Sequence, residues 1–331
     1  MGIRYVFFLG TVTRMHVCPY RWFVGAVVLL ASAASCIHRQ PLPAAGPDLT
    51  TEAGSLTGRR LERPHFDDTT DARLRQDLSR ATDSLHVHPA SADALLWVGR
   101  RLAYLGKYRE AIDTFTAGVT RFPKDARFLR HRGHRYLTIR RPTLAIVDLS
   151  RAGVMLQGQA DVIEPDGVAN ASGTPVSTLQ FNVWYHLGLA HYVQGEWTAA
   201  LAAYNECAKV SVNPDLKVAT AYWRYLTLRR MDRDAEAATV LNVAENNPTV
   251  IENGAYLRLL RVFAGLEPVS ALRYENGDRV SDATTAYGVS MWYALNGRRG
   301  EATALWRRLS ESAGWGAFGV LAAEGELAFG R

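Results

Sequence analysis

The side chains with the most chemistry to offer are histidines, a short acidic run and one cysteine far from either end. His131 and His134 stand three residues apart, a spacing that brings two imidazoles to one side of a helix. No cysteine or carboxylate stands at helical spacing from them to complete a metal site, so no metal is expected. His186 and His191 are five apart and diverge around a helix. A hydrolytic or metal-dependent activity would have to centre on His186 and Glu164. Glu164-Pro165-Asp166 offers too sparse a series of oxygens for a calcium loop. Cys207 has apolar helical neighbours and reads as a small hydrophobe rather than a nucleophile. The chain carries no G-x-S-x-G elbow, P-loop, dinucleotide fingerprint or H-E-x-x-H, so neither an enzyme nor a cofactor is expected.

The elements that must hold these residues belong to a folded chain. Its 331 residues are 48% hydrophobic and 21% charged, outside the disordered range. The net charge is +6, yet only four of 38 basic residues are lysine and no basic run resembles a DNA-reading helix, so no nucleic-acid partner is expected. Three cysteines, two of them near the N-terminus, give no disulfide framework.

Residues 1–35 read as an export signal. Arg21 precedes an apolar run from Trp22 to Ala34, too short to span a bilayer comfortably and suited to a signal peptide. Translation starts at Met1 or at Met15, and the later start gives the n-region MHVCPYR. Ala33-Ala34-Ser35-Cys36 resembles a bacterial lipobox, which implies lipidation of Cys36; ordinary cleavage after Ala33 is the alternative. Residues 36–67, rich in Pro, Gly and Thr, are expected to be a flexible tether from the envelope membrane.

From residue 68 onward the sequence repeats. Gly99 and Gly133, Ala111 and Ala145, and Phe115 and Leu149 are each 34 residues apart. Trp184, Leu187, Gly188, Gly195, Ala200 and Tyr204 restate the pattern, with His191 and Cys207 in place of a tyrosine and an alanine. On these residues the chain resembles the tetratricopeptide repeat family, whose pattern runs W-x2-L-G-x2-Y with later Ala, aromatic, Ala and Pro. The resemblance implies an all-α fold, a right-handed α-solenoid of helical hairpins with one non-helical insertion. Clear repeats fall at 92–125, 126–159 and 181–214, the insertion at about 160–180, and degenerate repeats with a terminal cap at 215–331. Small residues such as Gly188 and Ala200 are expected where helices cross, with Trp184, Leu187 and Tyr204 beside them.

The family's ligands are peptides held in the concave groove formed by the first helix of each repeat. Carried over by position, that groove offers Leu96, Arg100 and Ala103, then Arg127, Arg130 and His134, then Asn182, Tyr185 and Tyr192. Arginines beside tyrosines suit an acidic segment or a chain terminus, since guanidinium binds carboxylate through two parallel bonds. The alternative is a solvated arginine-rich face. Glu164, Asp166, Asn170 and Ser172 are the polar candidates of the insertion, which would serve a small-molecule or glycan site with Trp97, Tyr185, Tyr192 and Trp197. The principal expectation is a non-catalytic protein-interaction scaffold at the cell envelope.

Overall fold

The computed structural model describes residues 50–165, 170, 172–274 and 279–330. The signal segment, Cys36 and Asp166 lie outside the described residues. Fourteen α-helices make up most of what is described. An N-terminal helix, α1 (Asp68–Val87), leads into hairpins α2 (Ala92–Tyr104) with α3 (Tyr108–Arg121), α4 (Ala126–Thr138) with α5 (Pro142–Leu156), and α6 (Leu179–Gln194) with α7 (Trp197–Val210). A fourth follows from α8 (Pro214–Arg230) with α9 (Asp234–Val240) and α10 (Asn242–Glu245). Then come α11 (Gly254–Phe263), the hairpin α12 (Arg279–Leu295) and α13 (Arg299–Ser310), and a last helix α14 (Phe318–Ala328).

Local sequence explains the boundaries. Ser91, Thr178 and Asn213 accept the free N–H groups of Ala94, Phe181 and Leu216 through their side chains, opening α2, α6 and α8. Gly195 closes α6 with φ +77°, a left-handed cap natural to glycine.

The spacing of small residues has a direct physical reading. A Cβ on Gly99 would stand 2.4 Å from the Phe115 ring, one on Gly133 2.7 Å from Leu149, and one on Gly188 2.4 Å from the Tyr204 ring. In all three hairpins the glycine lies sixteen residues before the large side chain that fills its place. Trp184 packs in turn over Gly153 of the preceding hairpin. Ala111, Ala145, Ala200, Ala237 and Ala302 are all fully buried, so the small-residue rhythm continues beyond the three clear repeats.

Two regions depart from expectation. Part of the expected tether is ordered: β1 (Thr51–Gly54) and β2 (Arg60–Glu62) form an antiparallel hairpin with Leu61 fully buried. Its Glu52 accepts the Arg109 N–H at 3.0 Å and also pairs with Arg63, giving α3 the N-terminal anion that Lys107 does not supply. The second departure is α14. Besides packing on the last hairpin, α12 and α13, it reaches back to α6. Glycines permit that approach, since a Cβ on Gly319 would meet the Ala283 carbonyl oxygen at 2.3 Å and one on Gly325 the Val193 carbonyl oxygen at 3.2 Å.

The helix also brings carboxylates into the core. Glu324, fully buried, takes two bonds from Arg140 at 3.0 and 2.7 Å and one from the Leu56 N–H at 3.0 Å. Glu326 meets Arg230 and accepts the Tyr287 hydroxyl at 2.9 Å. Trp315 donates its indole N–H to the Glu62 carbonyl at 2.8 Å, so the N-terminal hairpin and the C-terminal segment meet and close the stack on itself.

Candidate functional site

The concave wall carries a cluster of guanidinium groups built from two neighbouring first helices. Arg100 and Tyr104 are one turn apart on α2, and Arg130, His131, His134 and Arg135 occupy the matching face of α4. They line a cavity of about 260 Å³ that includes no residue of α14. The insertion forms its lip: an isolated bridge pairs Ile163 with Thr178, which turns Glu164 inward while Ile163 remains 67% exposed.

Arg100 and Arg130 are each only 6% exposed. Arg100 donates to the Pro165 carbonyl at 2.6 Å and lies 4.2 Å over the Trp97 ring, while its Nε is buried without a partner. Arg130 Nε stands 2.9 Å from Glu164 Oε2 in an ion pair without hydrogen-bond alignment. Arg130 Nη1 lies 3.0 Å from His131 Nδ1 and 3.4 Å from His134 Nδ1. Arg135 has Tyr108 under its guanidinium at 5.5 Å, and among the described residues no carboxylate meets it.

The electrostatics follow from burial. Burial lowers Arg135 to about 10, reinforced by repulsion from Arg130 and Arg100, and burial lowers Arg130 as well. Burial also holds His131, His134 and His186 well below the ordinary imidazole range, helped by the neighbouring guanidiniums. A neutral His131 fits its contacts, accepting from Arg130 through Nδ1 and reaching Glu164 from Nε2 at 3.3 Å. Both imidazoles of the first pair thus face a guanidinium, an arrangement hostile to a metal cation.

Other candidates are placed differently from expectation. Arg127 sits at the start of α4, where it is held by Asp125 and Asp93, each at 2.6 Å, so its charge is already matched. Asn182 is buried and donates to Glu164 at 3.1 Å, orienting that carboxylate rather than meeting a ligand freely. Tyr185 shares its hydroxyl with Tyr256 at 2.9 Å and Trp223 Nε1 at 2.8 Å, a core network. Tyr192 is 1% exposed and bonded to Tyr287 at 3.0 Å beneath α14, which removes it from the groove surface. Leu96 and Ala103 are likewise buried, and Trp197 packs edge-on to Tyr192.

Asn170 ties the insertion to itself and to Glu252, donating to the Thr174 carbonyl and to the Glu252 carboxylate at 2.6 Å each; Ser172 bonds to Asn170 Oδ1 at 2.8 Å. The pair His186–Glu164 does not form as a catalytic couple: His186 Nδ1 bonds to the Asn182 carbonyl at 2.5 Å, and Glu164 contacts Arg130 and His131.

A second cavity, about 350 Å³, adjoins the first and shares Arg130, His134, Ser177 and Glu252 with it. Its walls mix polar side chains with apolar ones and with four aromatic rings, Phe181, Tyr185, Tyr256 and Phe318, the last being the first residue of α14. The Phe318 ring lies 5.3 Å from both His134 and His186. Arg135, Tyr104 and Phe318 are missing from the candidates the sequence nominates. The first two follow from the i, i+4 rows Arg100–Tyr104 and His131–Arg135, but nothing local signals that Phe318 reaches the groove.

The tetratricopeptide repeat family model matches residues 98–154 and 179–211. No curated protein matches the chain. Among solved structures it is similar to YrrB, described as a TPR protein with an unusual peptide-binding site, at 12% identity over 69% of this chain and 89% of that one, with a TM-score of 0.41. Residues 98–154 and 179–211, which build helices α2 to α7, thus match tetratricopeptide repeats.

Proposed function

We propose that the protein is a non-catalytic interaction scaffold of the bacterial cell envelope, lipid-anchored through Cys36, which holds an acidic partner segment against the wall formed by α2 and α4. The repeat fold supports the scaffold role in general terms. The observation that carries the acidic preference is the convergence of Arg100, Arg130 and Arg135 on one cavity that α14 does not fill. Guanidinium groups held in place by their surroundings bind carboxylates with less ordering cost than flexible surface cations.

A fluorescent oligoglutamate peptide provides the test. It should bind the full chain more tightly than its glutamine counterpart, and Arg135→Gln should abolish the difference while leaving helicity intact. Equal binding of the two peptides sinks the reading. The envelope part is tested separately by labelling with a lipid analogue in cells: incorporation should be lost in Cys36→Ser, and labelling that persists there removes the anchor.

A further inference from the structure

The two adjoining cavities differ in chemistry, one bordered by guanidiniums and the other by aromatic rings, and they share a wall. We infer that together they take one small amphipathic monocarboxylate, its head on Arg100, Arg130 and Arg135 and its apolar body against Phe181, Tyr185 and Phe318. The inference rests on the arginine wall being a binding site, and it does not require that the ligand be a peptide.

Three observations converge on this ligand. The first is charge: among the described residues the head cavity is lined by three guanidiniums and two carboxylates, Glu164 in the wall and Glu252 at the rim, an excess of one positive charge while burial keeps the histidines neutral. One carboxylate balances that count. The second is Arg100, only 6% exposed, which lines both the head cavity and the cleft beside Trp97 and whose buried Nε has no acceptor among the described residues. The third is size: cavities of roughly 300 to 1,000 Å³ suit small molecules, and the second chamber continues from the head site, with Phe181, Tyr185, Tyr256 and Phe318 beyond the shared Arg130 and Glu252.

The molecule also displays a precedent. At the ends of α4 and α8, Arg140 and Arg230 are met by Glu324 and Glu326, carboxylates carried on an apolar segment whose Val320, Leu321 and Ala322 are buried. The fold thus already pairs guanidiniums with carboxylates joined to apolar surface, supplied by its own last helix.

Isothermal titration of the purified full chain with octanoate tests the inference, with octanol, acetate and hydrogen phosphate as comparison ligands. Octanoate should saturate one site, with octanol and acetate at least about tenfold weaker, since each lacks either the charge-assisted bonds or the buried chain. Arg135→Gln and Phe318→Ala should each weaken octanoate by about tenfold, with circular dichroism reporting that the helices remain. The ligand series on the unaltered chain decides the matter even if a variant misfolds. Octanol or phosphate binding as tightly as octanoate overturns the inference, and so does octanoate that fails to saturate. Peptide capture without octanoate binding keeps the scaffold and removes this ligand; octanoate without peptide does the reverse.

Discussion

Where α14 covers the wall, Arg140 in the α4–α5 turn and Arg230 at the end of α8 meet Glu324 and Glu326; over α2 and α4, Arg100, Arg130 and Arg135 share their cavity, among the described residues, with Glu164 and the rim residue Glu252 as its carboxylates. The same concave face is therefore finished in one half and left incomplete in the other. In the finished half, the apolar helix and its carboxylates cover the guanidiniums together. In the other, a cavity stands where such a segment would lie. The contrast separates two uses of a repeat groove: a structural one, in which the chain is its own ligand, and a recognition one, in which the ligand comes from outside.

Removing one carboxylate from each half should have the largest effect. Glu324→Ala leaves Arg140 buried and unpaired, and stability to urea should fall by about 3–5 kcal/mol. Glu164→Ala should cost distinctly less, because Arg130 borders a cavity that water can enter. Equal losses would mean that the two halves are equally sealed. A smaller effect is expected from Gly319→Val, whose side chain would collide with the Ala283 carbonyl. The cost should be about 1–3 kcal/mol, with faster hydrogen exchange across residues 318–328. Unchanged exchange there would show that α14 tolerates the crowding and is not held by close backbone contact.

The smallest effect concerns pH. His131, His134 and His186 are held below the ordinary value of 6.5 when folded, so the unfolded chain binds more protons as pH drops. Their contribution is complete above about pH 6.5 and declines as pH falls below it toward the folded-state values. Denaturation midpoints should therefore drop between neutral pH and pH 5, and a His134→Gln variant should drop less. A midpoint that rises over that range would contradict neutral, buried imidazoles in this wall.

Much of the helical stack is legible in the sequence because its determinants are short-range. Gly99, Gly133 and Gly188 each meet a large residue sixteen positions on, within a single hairpin. The site is only partly legible. Arg100 and Arg130 follow from repeat position, but Arg127 lies beside Asp93 and Asp125, and Tyr192 lies beneath α14. The first of these contacts spans a repeat, and the cover over Tyr192 comes from the far end of the chain. The expected tether misleads for the same reason: Leu61 has no amphipathic helix around it, and its burial depends on partners that lie elsewhere in the sequence.

The sequence by itself determined that helical hairpins form and nest, since helix period, caps and small-residue crossings act over a few turns. Tertiary structure alone decided which part of the groove remains open. That choice depends on Glu324 reaching Arg140 across 184 positions and on Glu326 reaching Arg230. Buried charges need partners wherever the fold can supply them, and no local pattern records where that is.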